Sequence, residues 1–349
     1  MVQKNRIHEI DIIRGFALFG VLLVNLTMID ATLYGNSRTP FAIELFAQGK
    51  FYTIFAFLFG LGFHFFSKGN FAFKRRLWVL LIFGILHLVL VWYGDILHLY
   101  AITGFILIKS HHYSDKKLKR RVIGLFILSL MMYGFFAVDV PESSVFVEQI
   151  HQGEVVLSTG TYGQVILYRL THEIPIVFVN LFFTLPKILL LFYLGVLVGR
   201  HGFFETIESQ RPLIVKWNYM SGGLFGILIF GIFIFNTANR PVIEALLQEL
   251  STYVGSFFYL TTLIRFSQTK GIRWIENAGK MALTNYLTQT IFWTLFFYGY
   301  GGGWFGEVSP KFYFPAAVIF FYGQVVFSTW WIHKFKTGPM ERLWRRLYA

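Results

Sequence analysis

Long apolar runs recur along the whole chain, near residues 10–29, 51–67, 77–93, 95–108, 122–140, 174–199, 217–237, 246–266, 281–300 and 312–333. A helix needs roughly 20 apolar residues to cross the hydrocarbon core of a bilayer. Most of the runs approach that length, and the fourth is short. Inside lipid only helices and closed barrels satisfy every backbone group, and these runs lack the period-two alternation of barrel strands. The expectation is an all-α, polytopic integral membrane protein of about ten transmembrane helices, formed as a single transmembrane domain over residues 1–349. Composition agrees. Of the residues, 55% are hydrophobic, 20% aromatic and only 14% charged, whereas a soluble chain carries about 25% charged residues. The first run is too long for the core of a signal peptide and reads as a retained span.

The basic residues test this division. Placing the N-terminus inside puts Lys4 and Arg6, Lys74 to Arg76, Lys116 to Arg121, Arg200 and Arg211, Arg265, Arg273 and Lys280, and Arg342, Arg345 and Arg346 on the inner side. The outer connections keep only scattered cations such as Lys50, Arg169 and Lys311. This alternation predicts both termini in the cytoplasm. The net charge of +13 is therefore a topology signal rather than a nucleic-acid footprint. Cysteine is absent, which excludes disulfides and thiolate metal sites. No phosphate-binding loop, HExxH or GxSxG motif occurs. The segment from Pro141 to Glu173, the longest on the outer side, reads either as a cap over a cavity mouth or as a solvated loop.

Polar residues inside a span are costly and usually face a partner or a watery cavity. In the first run Asp11 and Arg14 share a helix face. Asn25 returns to that face about 16 Å deeper, at roughly 1.5 Å rise per residue. A snorkelling ion pair and a helix-packing amide are the plain alternatives. His64 reads as an interfacial histidine. The block GILHLVLVWYGDILHLYAITG is the densest cluster: His87 lies in the outer half of one helix, a Tyr93-Gly94-Asp95 corner follows, and Asp95 and His98 share a face. Asp95 could equally be only a helix cap. An imidazole within lipid titrates near working pH and must face protein or water, so His87 stands out. In KMALTNYLTQT, Asn285 and Gln289 are one turn apart, either as helix glue or as ligand contacts. Gly195/Gly199 and Gly222/Gly226 read as small-residue packing pairs.

The segments HEIDIIRGFALFGVLLVN, FLFGLGFHFF, RRLWVLLIFGILHLVLVWYGDILHLYAITG, AGKMALTNYLTQT and TGPMERLWRRL resemble the YeiB-like bacterial membrane proteins, classed as domain of unknown function 418. Those proteins are distantly similar to transmembrane acyltransferases such as heparan-α-glucosaminide N-acetyltransferase and the acyltransferase-3 sugar O-acetylases. Such relatives move acyl groups from cytoplasmic acyl-CoA to an acceptor on the far side. The shared pattern is Asp11, Arg14, Gly15 and the polar residue at position 25. The acyltransferase-3 catalytic histidine is replaced by Asn25, and the heparan-type histidine by Asn36. Either the base has moved, with His87 as the best candidate, or the chain does not perform this reaction.

The resemblance thus implies a bacterial plasma-membrane acyltransferase with acyl-CoA, in the simplest case acetyl-CoA, as donor and no metal. Asp11, Arg14, Arg75 and Arg76 would bind the donor. His87, Asp95 and Asn25 would be catalytic, and His98, Asn285 and Gln289 would contact substrate. The expected partners are the lipid bilayer and a small-molecule acceptor, a sugar, lipid or other hydroxyl or amine; a homodimer is the expected assembly. A transporter that lines a solute or proton path with the same residues is the main rival, although no internal repeat is evident. A non-catalytic lipid-binding or scaffold protein is a third reading.

Overall fold

The computed structural model describes residues 7–32, 39–66, 70–136, 144–237, 241–267 and 270–348. Among them every regular element is helical. Lys4, Arg6 and Asn36, named above, lie outside the described residues. The helices are α1 (His8–Ile29), α2 (Phe41–Phe46), α3 (Lys50–Phe66), α4 (Asn70–Leu90), α5 (Leu97–Ile108), α6 (Asp115–Phe136), α7 (Ser144–Thr159) and α8 (Tyr162–Tyr168). They continue with α9 (Ile174–Arg200), α10 (Arg211–Thr237), α11 (Pro241–Phe266), α12 (Lys270–Arg273), α13 (Glu276–Lys280), α14 (Ala282–Phe297), α15 (Tyr313–Phe335) and α16 (Pro339–Tyr348). A π-helical turn at Arg169–Glu173 joins α8 to α9.

Among the described residues, five helical stretches are long and apolar enough to cross a membrane: His8–Ile29, Phe41–Phe65, Tyr162–Arg200, Arg211–Asn236 and Pro310–Phe335. The other five apolar runs also fold as helices, but each is shorter or more charged. Helix α5 has 12 residues, about 18 Å at roughly 1.5 Å per residue, which is less than the hydrocarbon thickness of about 30 Å. Helix α4 opens with Lys74, Arg75 and Arg76, and α11 carries Glu244, Glu249 and Arg265.

Segment 144–173 is helical rather than a solvated loop. Leu157 and Val165 are buried in the core, and so are Arg169 and Glu173. The Arg169 guanidinium donates to the Val89 carbonyl at 2.9 Å and the Tyr162 hydroxyl to the Leu90 carbonyl at 2.8 Å, so this segment lies over the end of α4. A capping box at Thr161 and Gln164 starts α8.

Close backbone contacts position the site. A Cβ on Gly84 would fall 2.2 Å from the His98 amide nitrogen, so only glycine lets α4 and α5 meet this closely. A Cβ on Gly279 would fall on the Asp11 carbonyl, which seats α13 against α1 beside Arg14. The glycine pairs behave unequally. Gly195 packs against α3 backbone, Gly199 against His64 and Gly222 against Phe258, whereas Gly226 faces open space. Gly226 therefore serves no packing contact of the kind its spacing suggested.

Candidate functional site

The α4–α5 corner brings three titratable side chains together. Asp95 sits just ahead of α5, whose first residue is Leu97. One carboxylate oxygen of Asp95 accepts from His87 Nδ1 at 2.9 Å. The other accepts from His98 Nδ1 and from the His98 backbone N–H, both at 2.8 Å. Asp95 is thus a cap and an imidazole partner at once. His87, Asp95 and His98 are all buried. An ionised carboxylate only accepts, so each Nδ1 carries its hydrogen, and a neutral imidazole in this arrangement has its lone pair on Nε2. On His87 that Nε2 lies 2.6 Å from Thr290 Oγ1 of α14. The Tyr286 ring, one turn earlier on α14, stands beside His87 with centroids 5.4 Å apart.

A cavity of about 600 Å³ opens next to this cluster. On the side of the cluster its lining includes Ile96, Leu97 and Tyr286, with Val21, Leu80 and Tyr100, while His87, Asp95, His98 and Thr290 lie outside the lining. Its walls are apolar and aromatic, among them Phe55, Phe59 and Phe63, and its mouth carries Arg14, Arg76, Lys280, Glu341 and Arg345. Helix α16 helps form that mouth. Its Glu341 accepts from the Leu283 and Thr284 amides at the start of α14, an acid at the positive end of a helix. Trp344 and Tyr348 stack on the Arg76 guanidinium, at 4.6 and 5.3 Å. Arg14 bonds Asp11 at 3.2 Å, and Lys280 bonds Glu276 at 2.6 Å. Burial pushes the Glu276 carboxyl up, but hydrogen bonds from Lys280 and His8 outweigh burial and hold it below its ordinary value.

The residues singled out from the sequence are divided by the fold. Arg14 and Arg76 line the cavity mouth, and Asp11 anchors Arg14 from a buried position. Arg75 is exposed and lies outside the cavity lining. Asn25 is buried, outside the cavity lining, and makes no hydrogen bond to His87 or Asp95 among the described residues. Asn285 and Gln289 point across to α15. Asn285 Nδ2 donates to Ser328 Oγ at 2.9 Å and to the Ala278 carbonyl at 3.2 Å, and Gln289 Nε2 donates to Gln324 Oε1 at 2.8 Å. Their amide N–H groups are spent on packing and do not face His87. No group of three or more His, Cys, Asp or Glu suited to a metal occurs among the described residues.

Two features escaped the sequence reading. Thr290 looked like one more threonine of α14, and only its 2.6 Å approach to His87 singles it out. A second buried charge cluster joins Lys187 of α9 to Glu249 of α11, with Ser129 donating to Glu249 at 2.9 Å. Tyr52, Tyr133 and Tyr253 rings surround the Lys187 ammonium at 5.1 to 5.3 Å. The signal available was Glu249 inside an apolar run, one partner of a pair whose contact is 62 residues apart.

Residues 198–349 match the family model "Protein of unknown function (DUF418)". The match spans α14 and α16 but stops short of the α4–α5 corner. The chain is similar over nearly its whole length to three proteins. Uncharacterized protein YxaH of Bacillus subtilis is 28% identical, with 99% of this chain and 94% of the relative aligned. Uncharacterized protein YeiB of Escherichia coli is 26% identical, over 97% and 95%. An uncharacterized 39.9 kDa protein from the amylase 3' region of Bacillus acidopullulyticus is 27% identical, over 98% and 93%. No solved structure matches the chain. Residues 198–349 thus fall under the DUF418 family model, and the chain is similar from end to end to the YeiB and YxaH proteins.

Proposed function

We propose that the protein is a plasma-membrane acyltransferase that takes an acyl group from cytoplasmic acyl-CoA and passes it to a small hydroxyl or amine acceptor. The observation that carries this reading is the cavity of about 600 Å³ with Arg14, Arg76, Lys280 and Arg345 in its lining and the His87–Asp95–His98 cluster just behind its lining residues Ile96, Leu97 and Tyr286. Arg14, Arg76, Lys280 and Arg345 suit the phosphates of the donor, where charge-assisted hydrogen bonds are the strong ones. The apolar walls admit the arm that carries the thioester. His87 Nε2 is the proton acceptor, and Asp95 holds the ring in the tautomer that leaves this nitrogen free. The reading also takes all ten apolar runs as spans, with both termini in the cytoplasm, since that alone puts Arg14, Arg76, Lys280 and Arg345 together on the inner side.

The test is acyl-CoA binding to the purified, folded protein. Wild type should bind saturably, and Arg14→Ala should weaken binding by about tenfold or more, the scale of one lost charged hydrogen bond of about 1.5–3 kcal/mol. Absence of binding in wild type would remove the donor site. A transporter is the second reading, favoured by the buried Lys187–Glu249 pair, because intramembrane charges often mark solute paths. Solute uptake into vesicles with no acylated product would put transport first.

A further inference from the structure

We infer that Thr290 is a nucleophile and that the acyl group rests on its hydroxyl as an ester before it reaches the acceptor. This rests on the acyltransferase reading and adds a covalent intermediate to it. Thr290 Oγ1 lies 2.6 Å from His87 Nε2, and His87 Nδ1 lies 2.9 Å from Asp95 Oδ1. This is the order of contacts that activates a hydroxyl: nucleophile, base, and a carboxylate orienting the base. His98 Nδ1 and the His98 amide hold the other Asp95 oxygen at 2.8 Å, so the carboxylate cannot rotate away from His87. His98 is a positioning residue here and touches no reacting atom.

A threonine within a helix ordinarily bonds back to a carbonyl one turn earlier. Thr290 Oγ1 does lie near the Tyr286 and Leu287 carbonyls, at 3.3 and 3.1 Å. A hydroxyl has one hydrogen, and the imidazole contact is shorter by half an ångström. Neighbouring threonines of α14 make the ordinary backbone bond: Thr288 donates to the Thr284 carbonyl at 2.8 Å and Thr294 to the Thr290 carbonyl at 2.8 Å. Thr290 differs from them in having a base within reach. Tyr286 lines the cavity and stands beside His87, between the cavity and the buried Thr290–His87 contact. Its side chain must turn aside for the thioester to arrive.

The chemistry balances. In the first step the Thr290 oxygen attacks the thioester carbonyl, and His87 Nε2 takes the hydroxyl proton. The C–S bond breaks, and His87 returns that proton to the departing thiolate, giving free CoA and acyl-Thr290. In the second step the acceptor hydroxyl or amine attacks the ester carbonyl and His87 takes its proton. The Thr290 C–O bond to the acyl group breaks, and the proton goes back to Thr290. No oxidant, metal or further reactant is needed.

The experiment uses full-length protein in nanodiscs with radiolabelled acetyl-CoA and palmitoyl-CoA as probes and no added acceptor. Label should stay on the protein after denaturation, map to residue 290, and appear with an equal amount of free CoA. Thr290→Ser should keep the label. Thr290→Val, nearly equal in shape but without the oxygen to acylate, should abolish it, while still binding both probes. His87→Ala should lose the label as well. Label at another residue, or CoA release unchanged in Thr290→Val, overturns the assignment and leaves the acyltransferase reading standing. Probes that fail to bind wild type overturn both.

Discussion

The protein holds two buried charge clusters, and they differ in what they face. Lys187 and Glu249 pair across α9 and α11 inside a sleeve of Tyr52, Tyr133 and Tyr253, with Ser129 on the second carboxylate oxygen. Neither this cluster nor the one at the α4–α5 corner contributes a side chain to the cavity lining. Asp95, by contrast, shares its two oxygens between His87 and His98, and His87 keeps a nitrogen for Thr290 beside Tyr286 and the cavity. Both clusters would attract notice as costly charges within apolar helices. Cost alone does not separate them. The first is closed by charge and aromatic faces, as a structural pair is, while the second lies behind Tyr286, a residue of the cavity lining.

The sharpest way to break this comparison is at Glu249. Glu249→Ala leaves the Lys187 ammonium buried without its partner and should cost about 3–5 kcal/mol, seen as a large drop in thermal midpoint, with donor affinity per folded molecule unchanged. Altered affinity would mean that the two clusters are coupled. At the other cluster, Asp95→Asn should reduce acyl transfer by roughly 10²–10⁴, the range for a general base, with donor binding retained. A kinetic assay that finds transfer intact would make the corner a packing device like the first cluster.

Smaller effects test the scaffold between them. Gly279→Ala drives a Cβ into the Asp11 carbonyl and should cost about 1–3 kcal/mol as overpacking, moving α1 away from α13. Thermal stability and donor affinity should fall together, because Arg14 sits in that contact. The smallest effect belongs to Glu276. Its carboxyl is held below its ordinary value in the folded protein. Its contribution is therefore complete above the unfolded carboxylate value of about 4.3 and is lost as pH falls through the folded value. Glu276→Gln should flatten the acid side of the stability profile by less than about 1 kcal/mol. An unchanged profile would show that His8 and Lys280 add nothing there.

Much of the fold was legible. Apolar length predicts helices, and among the described residues each of the ten runs contains one, in keeping with the need of backbone groups in an apolar setting to bond within their own segment. The Asp11–Arg14 pair and the Asp95–His98 contact were also legible, since neighbours three residues apart on a helix meet whatever surrounds them. Segment 144–173 was harder. Its mixed polar and apolar residues resemble a loop, and only contact with the end of α4 shows why Arg169 and Glu173 are buried.

Sequence alone determined an α-helical chain rich in apolar runs and a short list of polar residues within or beside them. Tertiary structure decided which of those residues meet. It turned Asn285 and Gln289 towards α15, left Arg75 outside the cavity lining, and placed Thr290 against His87 across 203 residues. The physical reason is that helical periodicity assigns residues to faces, whereas the partner of each face depends on how helices pack. Here Gly84 and Gly279 permit the close approaches that bring the faces together.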